Sequence, residues 1–350
     1  MDRRQTEELL AALPKAELHL HLEGAIEPDT VVELSARHGM TLAREEVVAR
    51  YTYRDFLGFL EAFKWVTSFL RAPEDYALLI EHLADNLLRQ NVVYAEVTLS
   101  VGVMLRREQD IEANFAALQE AARQAQAKGL RLQWVFDATR QFGPEAAMEV
   151  ARLAAQRKNE GVVAFGMGGD ELSIPTEEFR GVYDFVATQG LHRLVHSGEI
   201  GGAESVREAV ELLGAERIGH GIAVMRHERT MDFLAARNVP LELCPTSNLR
   251  TGALALQLRR AQAEPADHPL RQLFDRGLGV TLSTDDPAMF HTDLLSEYRL
   301  GLDLGLSASA LARIAEMGFE FAFLPEEEKH ALRQSFRART RSLGLVYWPA

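Results

Sequence analysis

The sequence contains one cysteine in 350 residues and no long apolar run. A single cysteine, Cys244, excludes an intrachain disulfide and any metal site built from several thiolates, and we expect it to be buried in a strand. The amino terminus lacks the apolar core of a signal peptide, and no stretch of about 18 apolar residues is present for a membrane span. These absences predict a cytoplasmic protein without a membrane partner.

Basic residues are also few: 38 Lys and Arg stand against 51 Asp and Glu, a formal net charge of −13. Nucleic-acid backbones and anionic membranes require basic patches, so this balance argues against both as partners. Hydrophobic residues make up 47% of the chain and charged residues 25%, as in ordinary globular proteins. Since no low-complexity tract or Pro/Gly/Ser-rich linker divides the chain, we predict a single domain over residues 1–350.

Short apolar or alternating segments recur between longer amphipathic ones. The predicted strands are 17–22, 92–99, 130–136, 162–166, 191–196, 217–220, 239–243 and 279–283. Helical patterns lie between most of them, for example at 74–90, 111–127, 144–157 and 203–213. This alternation is typical of parallel βαβ units, and eight such strands favour a closed (β/α)8 TIM barrel of the α/β class over an open sheet. Residues 40–70 form an extra, mostly helical segment after the first strand.

Four of the predicted strands lead into histidine or aspartate residues. The first ends in His19-Leu20-His21, the fifth in His196, the sixth in His220, and Asp285 follows the eighth. Residues i and i+2 of a strand face the same side, and barrel enzymes keep their active sites at the carboxyl ends of the strands. The joint occurrence predicts a metal site on that rim. The fourth strand has no lysine to join two metals, and three histidines with one carboxylate suit a single zinc ion per chain.

The chain resembles the adenosine deaminase family over roughly residues 12–320. The motifs that carry the resemblance are Pro14-Lys15-Ala16-Glu17-Leu18-His19-Leu20-His21-Leu22-Glu23-Gly24, Gly169-Asp170-Glu171, His196-Ser197-Gly198-Glu199, His220-Gly221, Cys244-Pro245-Thr246-Ser247-Asn248 and Ser283-Thr284-Asp285-Asp286-Pro287. The zinc ligands that it implies are His19, His21, His196 and Asp285. It further implies that Glu199 protonates the purine N1 and that His220 orients or deprotonates the attacking water. The substrate contacts that it implies are Gly169 to N3, Asp286 to N7, His21 and Glu23.

The function implied by the resemblance is zinc-dependent removal of the 6-amino group of adenosine, 2′-deoxyadenosine or a related 6-aminopurine nucleoside. The alternatives are 6-aminodeoxyfutalosine, whose 5′ side bears an aromatic extension, and adenine. Glu23 stands where well-known adenosine deaminases carry an aspartate that contacts the ribose 5′-hydroxyl, so the exact substrate stays open. Another barrel amidohydrolase is disfavoured by the missing lysine, and a non-catalytic binding protein by the intact set of His, Glu and Asp residues.

Two further segments have no single interpretation. Phe56, Phe59, Leu60 and Phe63 form an apolar helical stripe that is either core packing or, as the resemblance implies, a lid over the site. Residues 251–268 form a long connection rich in Gln, Arg and Ala, for which the sequence predicts no function. No pattern predicts the oligomeric state.

Overall fold

The computed structural model describes residues 2–53 and 56–345, without the side chains of residues 56 and 57. Eight parallel strands pair in chain order, from β1 to β8. They are Lys15–His21 (β1), Val92–Leu99 (β2), Arg131–Thr139 (β3), Val162–Gly168 (β4), His192–Ser197 (β5), Arg217–His220 (β6), Leu241–Leu243 (β7) and Val280–Leu282 (β8). Helices surround this sheet, and the predicted (β/α)8 TIM barrel is confirmed.

The barrel closes between β1 and the residues that follow β8. The His21 N–H donates to the Asp285 carbonyl at 2.8 Å, and the Asp285 N–H donates to the His19 carbonyl at 3.0 Å. The hydrogen bonds that close the barrel therefore also hold three of the predicted ligands at one edge.

Helices follow most of the strands and cover the outside of the barrel. They are Arg3–Ala12 (α1), Pro28–Arg37 (α2), Arg44–Arg50 (α3), Phe56–Thr67 (α4), Pro73–Arg89 (α5), Val101–Arg106 (α6), Ile111–Ala127 (α7), Gly143–Gln156 (α8), Arg180–Thr188 (α9), Ala203–Leu213 (α10), Glu228–Arg237 (α11), Pro245–Arg250 (α12), Ala253–Leu258 (α13), Leu270–Asp275 (α14), Pro287–Phe290 (α15), Leu294–Asp303 (α16), Ala308–Glu320 (α17) and Glu326–Ser342 (α18). Local signals set several of their ends. Proline occupies the first turn of α5, and the Asp110 carboxylate caps α7 by accepting from the Ala113 N–H at 3.0 Å.

The observed strands differ from the predicted ones mainly at their ends. β3 continues to Thr139, three residues beyond the predicted end, because Asp137, Ala138 and Thr139 pair with the end of β4. The polar Asp137 interrupts the apolar pattern that the prediction followed. β7 begins at Leu241 rather than at residue 239, since Pro240 has no N–H to donate to a neighbouring strand.

The predicted extra segment contains helices α3 and α4, which lie between β1 and β2 as predicted. Phe59 of α4 is 7% exposed, and its ring centroid lies 5.1 Å from that of Phe290 of α15. Because α15 directly follows Asp285 and Asp286, this contact places α4 beside the carboxyl end of β8. Within the described part of the chain, none of the helices combines the length and the apolarity that a membrane crossing requires.

Candidate active site

Five predicted side chains converge at the carboxyl ends of β1, β5, β6 and β8. The ligand atoms of His19, His196, His220 and Asp285 all lie within 4.8 Å of one another. Nε2 of His21 is 3.2 Å from Nε2 of His196 and 3.3 Å from Oδ1 of Asp285. The strand ends thus gather four imidazoles and one carboxylate in a volume that one metal ion could fill.

The separations within this cluster match tetrahedral zinc coordination. Metal–ligand distances of about 2.0–2.1 Å place the ligand atoms of a tetrahedron about 3.3 Å apart. Nε2 of both His19 and His21 lies 3.3 Å from Oδ1 of Asp285, whereas Nε2 of His220 lies 3.9 Å from Oδ2. Nε2 of His19 is buried and has no hydrogen-bond partner among the described residues. The side chains therefore fit a zinc ion, and the distances favour His21 over His220 as a ligand.

The orientation of His19 depends on a buried chain of charges. Its Nδ1 donates to Glu242 of β7 at 2.9 Å, which leaves the lone pair of Nε2 facing the cluster. Glu242 also accepts from Arg217 at 2.6 Å, and Arg217 donates to Glu96 of β2 at 2.5 Å. The side chains of these three charged residues are at most 1% exposed. A buried carboxylate of this kind selects the tautomer of a histidine that binds metal.

A second chain of hydrogen bonds determines the tautomer of His220. The Leu270 N–H donates to Nδ1 of His268 at 3.2 Å, so the proton of this imidazole lies on Nε2. Burial lowers the pKa of His268 to about 3 and keeps its ring neutral. Nε2 of His268 then donates to Oδ1 of Asn248 at 3.2 Å, which turns the Asn248 amide towards Nδ1 of His220 at 3.1 Å. Nδ1 of His220 therefore accepts a hydrogen bond and the ring proton lies on Nε2, which donates and does not bind metal.

Two further imidazoles of the cluster, those of His21 and His196, are neutral. Burial lowers the pKa of His21 to about 4 and holds the pKa of His196 well below its usual value. Neutral rings have the free lone pairs that a metal requires. Gly219 lies directly behind this group, since a Cβ there would stand 2.8 Å from Cε1 of His19.

Glu199 lies in the loop after β5, at the edge of the cluster. One of its oxygens, Oε2, is 3.6 Å from Nε2 of His220, and the other, Oε1, lies 3.4 Å from the hydroxyl of Thr251, which donates to the Ser247 carbonyl at 2.9 Å. Burial raises the pKa of the Glu199 carboxyl. The side chain therefore keeps a proton at a higher pH than an exposed glutamate, as a proton donor requires.

Asp285 and Asp286 follow β8 and face different surroundings. The backbone of Asp285 has a φ of +67°, a strained conformation outside glycine, and its Oδ2 accepts from Ser247 at 2.6 Å. Burial, with the adjacent charge of Asp285, raises the pKa of Asp286 well above its usual value. Gly24 makes room for this carboxyl, since a Cβ there would fall 1.8 Å from Oδ1 of Asp286. A protonated Asp286 can donate a hydrogen bond to a ring nitrogen.

A cavity of about 690 Å³ opens from the cluster towards the solvent. Its inner end contains His21, His196, His220, Glu199, Asp285 and Asp286, and Gly168 and Gly169 form part of its wall. The exposed side chains at its outer end include the cations Lys64, Arg106 and Arg107. Cavities of this size hold drug-sized molecules, so a purine base alone would occupy only part of this one.

The helical stripe of α4 both packs in the core and lines the cavity. Phe59, Leu60 and Phe63 all face it, while the side chain of Phe56 lies outside the described residues. Glu23 is buried and is not one of the described residues that line the cavity. Its Oε1 accepts from the N–H of Ser100, which does line it, at 3.0 Å.

Several residues at the site escaped the sequence analysis. Asp137, at the end of β3, lines the cavity, and burial raises its pKa to about 8. Its signal in the sequence is one carboxylate within an apolar strand. Asn248 ends a motif of the family resemblance that carried no assigned role, and Glu242 and His268 have no such signal, because their contacts join positions that only the folded barrel brings together.

The chain is similar to known deaminases over nearly its whole length. The family model described as adenosine deaminase matches residues 14–338. An aminodeoxyfutalosine deaminase of Streptomyces coelicolor is 39% identical over 328 residues, which cover 92% of this chain and 83% of the relative. An adenine deaminase of Rhizobium leguminosarum is 33% identical over 322 residues, which cover 91% of this chain and 98% of the relative.

A solved deaminase structure also matches this chain over nearly its whole length. The adenine deaminase of Arthrobacter aurescens superimposes with a TM-score of 0.85 at 26% identity, covering 94% of this chain and 99% of the other.

Proposed function

This chain belongs to the adenosine deaminase family and is a hydrolase that deaminates a 6-aminopurine, and we propose that its substrate is a nucleoside extended by an anionic group at its 5′ side. The observation that carries this proposal is the cavity, which continues from the cluster to Lys64, Arg106 and Arg107. In a chain of net charge −13, three cations at one opening are a local reversal of charge. They suit a carboxylate or phosphate on the part of the substrate farthest from the purine.

We propose that one zinc ion per chain is held by His19, His21, His196 and Asp285. This family is metal-dependent, and the separations in the cluster match a tetrahedral ion. When bound, zinc lowers the pKa of a coordinated water to about 7 and so supplies a nucleophile at neutral pH.

His220 and Glu199 position and transfer protons around the purine. Nε2–H of His220 lies near the inner carboxylates and orients the attacking oxygen at C6. As the oxygen bonds to C6, an electron pair moves to N1, which takes the proton of Glu199. The C6–N bond then breaks as the hydroxyl proton on C6 passes to the 6-amino group, so ammonia leaves and the 6-oxo product forms.

Substrate recognition uses the wall of the cavity. The Gly169 N–H is assigned to N3, and the protonated Asp286 donates to N7, which has only a lone pair to offer. His21 stands beside the sugar end, and Glu23 acts on the 5′ side through the backbone of Ser100. The apolar residues Phe59 and Phe63 then cover the extension.

An ammonia-release panel tests the substrate. The compounds are adenine, adenosine, adenosine 5′-phosphate and an adenosine with a 5′-linked carboxylate, each with zinc-loaded enzyme. We expect the highest kcat/KM for an anionic compound, and the two anionic arms separate phosphate from carboxylate. Arg106→Met should lower kcat/KM on the order of 10-fold for that compound and leave adenosine nearly unchanged. A preference for adenine, or for unextended adenosine, would contradict the proposal.

A further inference from the structure

The loop that carries Glu199 is intrinsically flexible. Between the end of β5 at Ser197 and the start of α10 at Ala203 it reads Gly198-Glu199-Ile200-Gly201-Gly202, with three glycines in five residues. Glycine has more backbone conformations than any other residue, so such a loop does not hold a side chain in place by itself. Fixed contacts from elsewhere are needed if Glu199 is to face the substrate in one orientation.

One side of the loop is held by Glu171, which is 8% exposed. Its carboxylate accepts from three backbone N–H groups, those of Gly198 at 2.5 Å, Ile200 at 3.1 Å and Gly201 at 2.8 Å. This close approach needs a glycine, because a Cβ on Gly201 would stand 2.3 Å from Oε1 of Glu171. The Glu171 carboxylate thus binds the N–H groups of Gly198, Ile200 and Gly201 together.

The opposite side of the loop is held by Gln257 of helix α13. Its Nε2 donates to the carbonyl of Glu199 at 2.8 Å and to the carbonyl of Gly201 at 2.7 Å. Both protons of the Gln257 amide are thus donated to backbone carbonyls, those of Glu199 and Gly201. Thr251, at the start of the 251–268 connection, donates to the Ser247 carbonyl at 2.9 Å, and its hydroxyl lies 3.4 Å from Oε1 of Glu199.

We propose that the connection formed by residues 251–268 is a positioning element of the active site, and that Gln257 is its principal positioning residue. Gln257 and Glu171 hold the carbonyl and N–H sides of the loop, and the Thr251 hydroxyl packs beside the carboxyl. Gln257 touches no reacting atom and acts through Glu199. The inference therefore rests on the proposed role of Glu199 as the proton donor.

Two substitutions separate the donors of Gln257 from its volume. Gln257→Met keeps the length of the side chain and removes both donors. Gln257→Glu places a carboxylate against two carbonyl oxygens and repels them. A misplaced catalytic group costs up to about 10²-fold, so we expect kcat to fall on the order of 10-fold for Met and further for Glu. KM and zinc content should stay close to those of the parent protein.

Gln119 of α7 provides a matched control. Its side-chain amide also donates to a backbone carbonyl, that of Glu160. Glu160 precedes β4, so this contact lies at the amino ends of the strands, opposite the active site. Gln119→Met should leave kcat unchanged. Amide hydrogen exchange supplies a readout without turnover: the N–H groups of residues 198–202 should exchange faster in Gln257→Met than in the control.

A double-mutant cycle decides whether Gln257 acts through Glu199. In a Glu199→Gln background, Gln257→Met should cause little additional loss of kcat. Equal losses in both backgrounds, unchanged kcat in both Gln257 variants, or a fall in zinc content would overturn the positioning role. Near-parental turnover by Glu199→Gln alone would instead overturn the proposed role of Glu199, so the two failures are distinguishable.

Discussion

At the scale of single residues, the second nitrogen of each imidazole determines what the first can do. Nδ1 of His19 donates to Glu242, so its Nε2 is left with a lone pair. Nδ1 of His220 accepts from Asn248, so its Nε2 is left with a proton. Two histidines only 4.9 Å apart between ring centroids are thereby assigned opposite tasks. One suits binding a cation, and the other suits donating to an oxygen.

Glu242→Gln should weaken zinc binding. Loss of a carboxylate behind a ligand histidine typically costs 10–100-fold in metal affinity, so we expect a rise in zinc Kd on that order. Competition with a chromogenic chelator measures it. Glu216→Gln is the matched control, because Glu216 accepts from Nδ1 of His192 at 2.7 Å at the start of β5, away from the cluster. Equal affinity in both variants would show that the orientation of His19 does not depend on Glu242.

His268→Leu should reduce turnover through the tautomer of His220. Without a donor from residue 268, the amide of Asn248 is free to turn over and present its oxygen to Nδ1 of His220. A lost hydrogen bond of this kind costs roughly 1–1.5 kcal/mol, or about 10-fold in kcat. His268→Gln, whose amide can donate to Asn248, should retain most of the activity. Equal kcat in the Leu and Gln variants would contradict this chain of hydrogen bonds.

At the scale of secondary-structure elements, the sequence predicts segments better than it predicts contacts. The strands β2 and β6 and the helices α7 and α10 occupy the predicted residues, because each has a strong local periodicity. Helix α13 has only six residues and no strong apolar repeat, and it lies within the 251–268 connection. Its importance comes from Gln257, which reaches a loop more than fifty residues earlier in the chain. Local patterns contain no information about such a contact.

The same limit applies to the predicted site. Six site residues stand in motifs at strand ends, where the geometry of a barrel alone brings them together. They are His19, His21, His196, Glu199, His220 and Asp285. Asp137 and Glu242 lie inside strands, and their side-chain directions depend on strand register and barrel closure. Register between parallel strands is a tertiary property, so the contacts of these two positions could not be predicted, although Asp137 stands out as a lone carboxylate in an apolar strand.

Helix α4 should act on substrate binding more than on chemistry. Phe63 lines the cavity, whereas Trp65 on the same helix packs against Phe69 at 5.0 Å between ring centroids and is not among the described residues that line it. Burying a phenylalanine against a ligand contributes about 1.5–3 kcal/mol. Phe63→Ala should therefore raise KM for an extended nucleoside on the order of 10-fold or more, with a smaller change in kcat. Trp65→Ala should leave both near the parental values, and a similar KM in the two variants would assign α4 a packing role only.

At the scale of the whole molecule, the barrel buries many ionisable groups. Arg217 lies between Glu96 and Glu242 with all three side chains nearly inaccessible to solvent. Glu297 of α16 is fully buried and accepts from the N–H of Thr246 at 3.1 Å, which ties α16 to α12. No cation among the described residues pairs with Glu297 to offset its desolvation, so its carboxyl holds a proton instead.

Glu297 should make the free energy of unfolding depend on pH. Burial raises its pKa from 4.5 to about 7. The folded state therefore binds more protons than the unfolded state between about pH 4.5 and 7, and the associated stability is lost as the pH rises through that window. Urea unfolding should show that the parental protein loses on the order of 1–3 kcal/mol relative to Glu297→Gln between pH 5 and pH 8. The exposed Glu228→Gln should show no such difference, and parallel pH curves for parent and Glu297→Gln would contradict the shift.

The proposed zinc ion connects three parts of the barrel that are far apart in the chain. His19 and His21 end β1, His196 lies in β5, and Asp285 follows β8, so an ion held by all of them links both halves of the sheet. The unfolded chain cannot bring these groups together, and a ligand that binds only the folded state adds about 2.7 kcal/mol when its free concentration is 100-fold above Kd.

The expected result is a Tm that falls on chelation, together with all turnover, and recovers with added zinc up to one ion per chain. Asp285→Asn should lose most of this dependence, because it removes the one carboxylate among the ligands. Asp232→Asn, which changes an exposed ion pair with Arg276 at 3.0 Å, should keep it. Calorimetry with elemental analysis measures both quantities. Two zinc ions per chain, or a Tm indifferent to chelation, would mean that the four side chains do not form the single closed site that their separations describe.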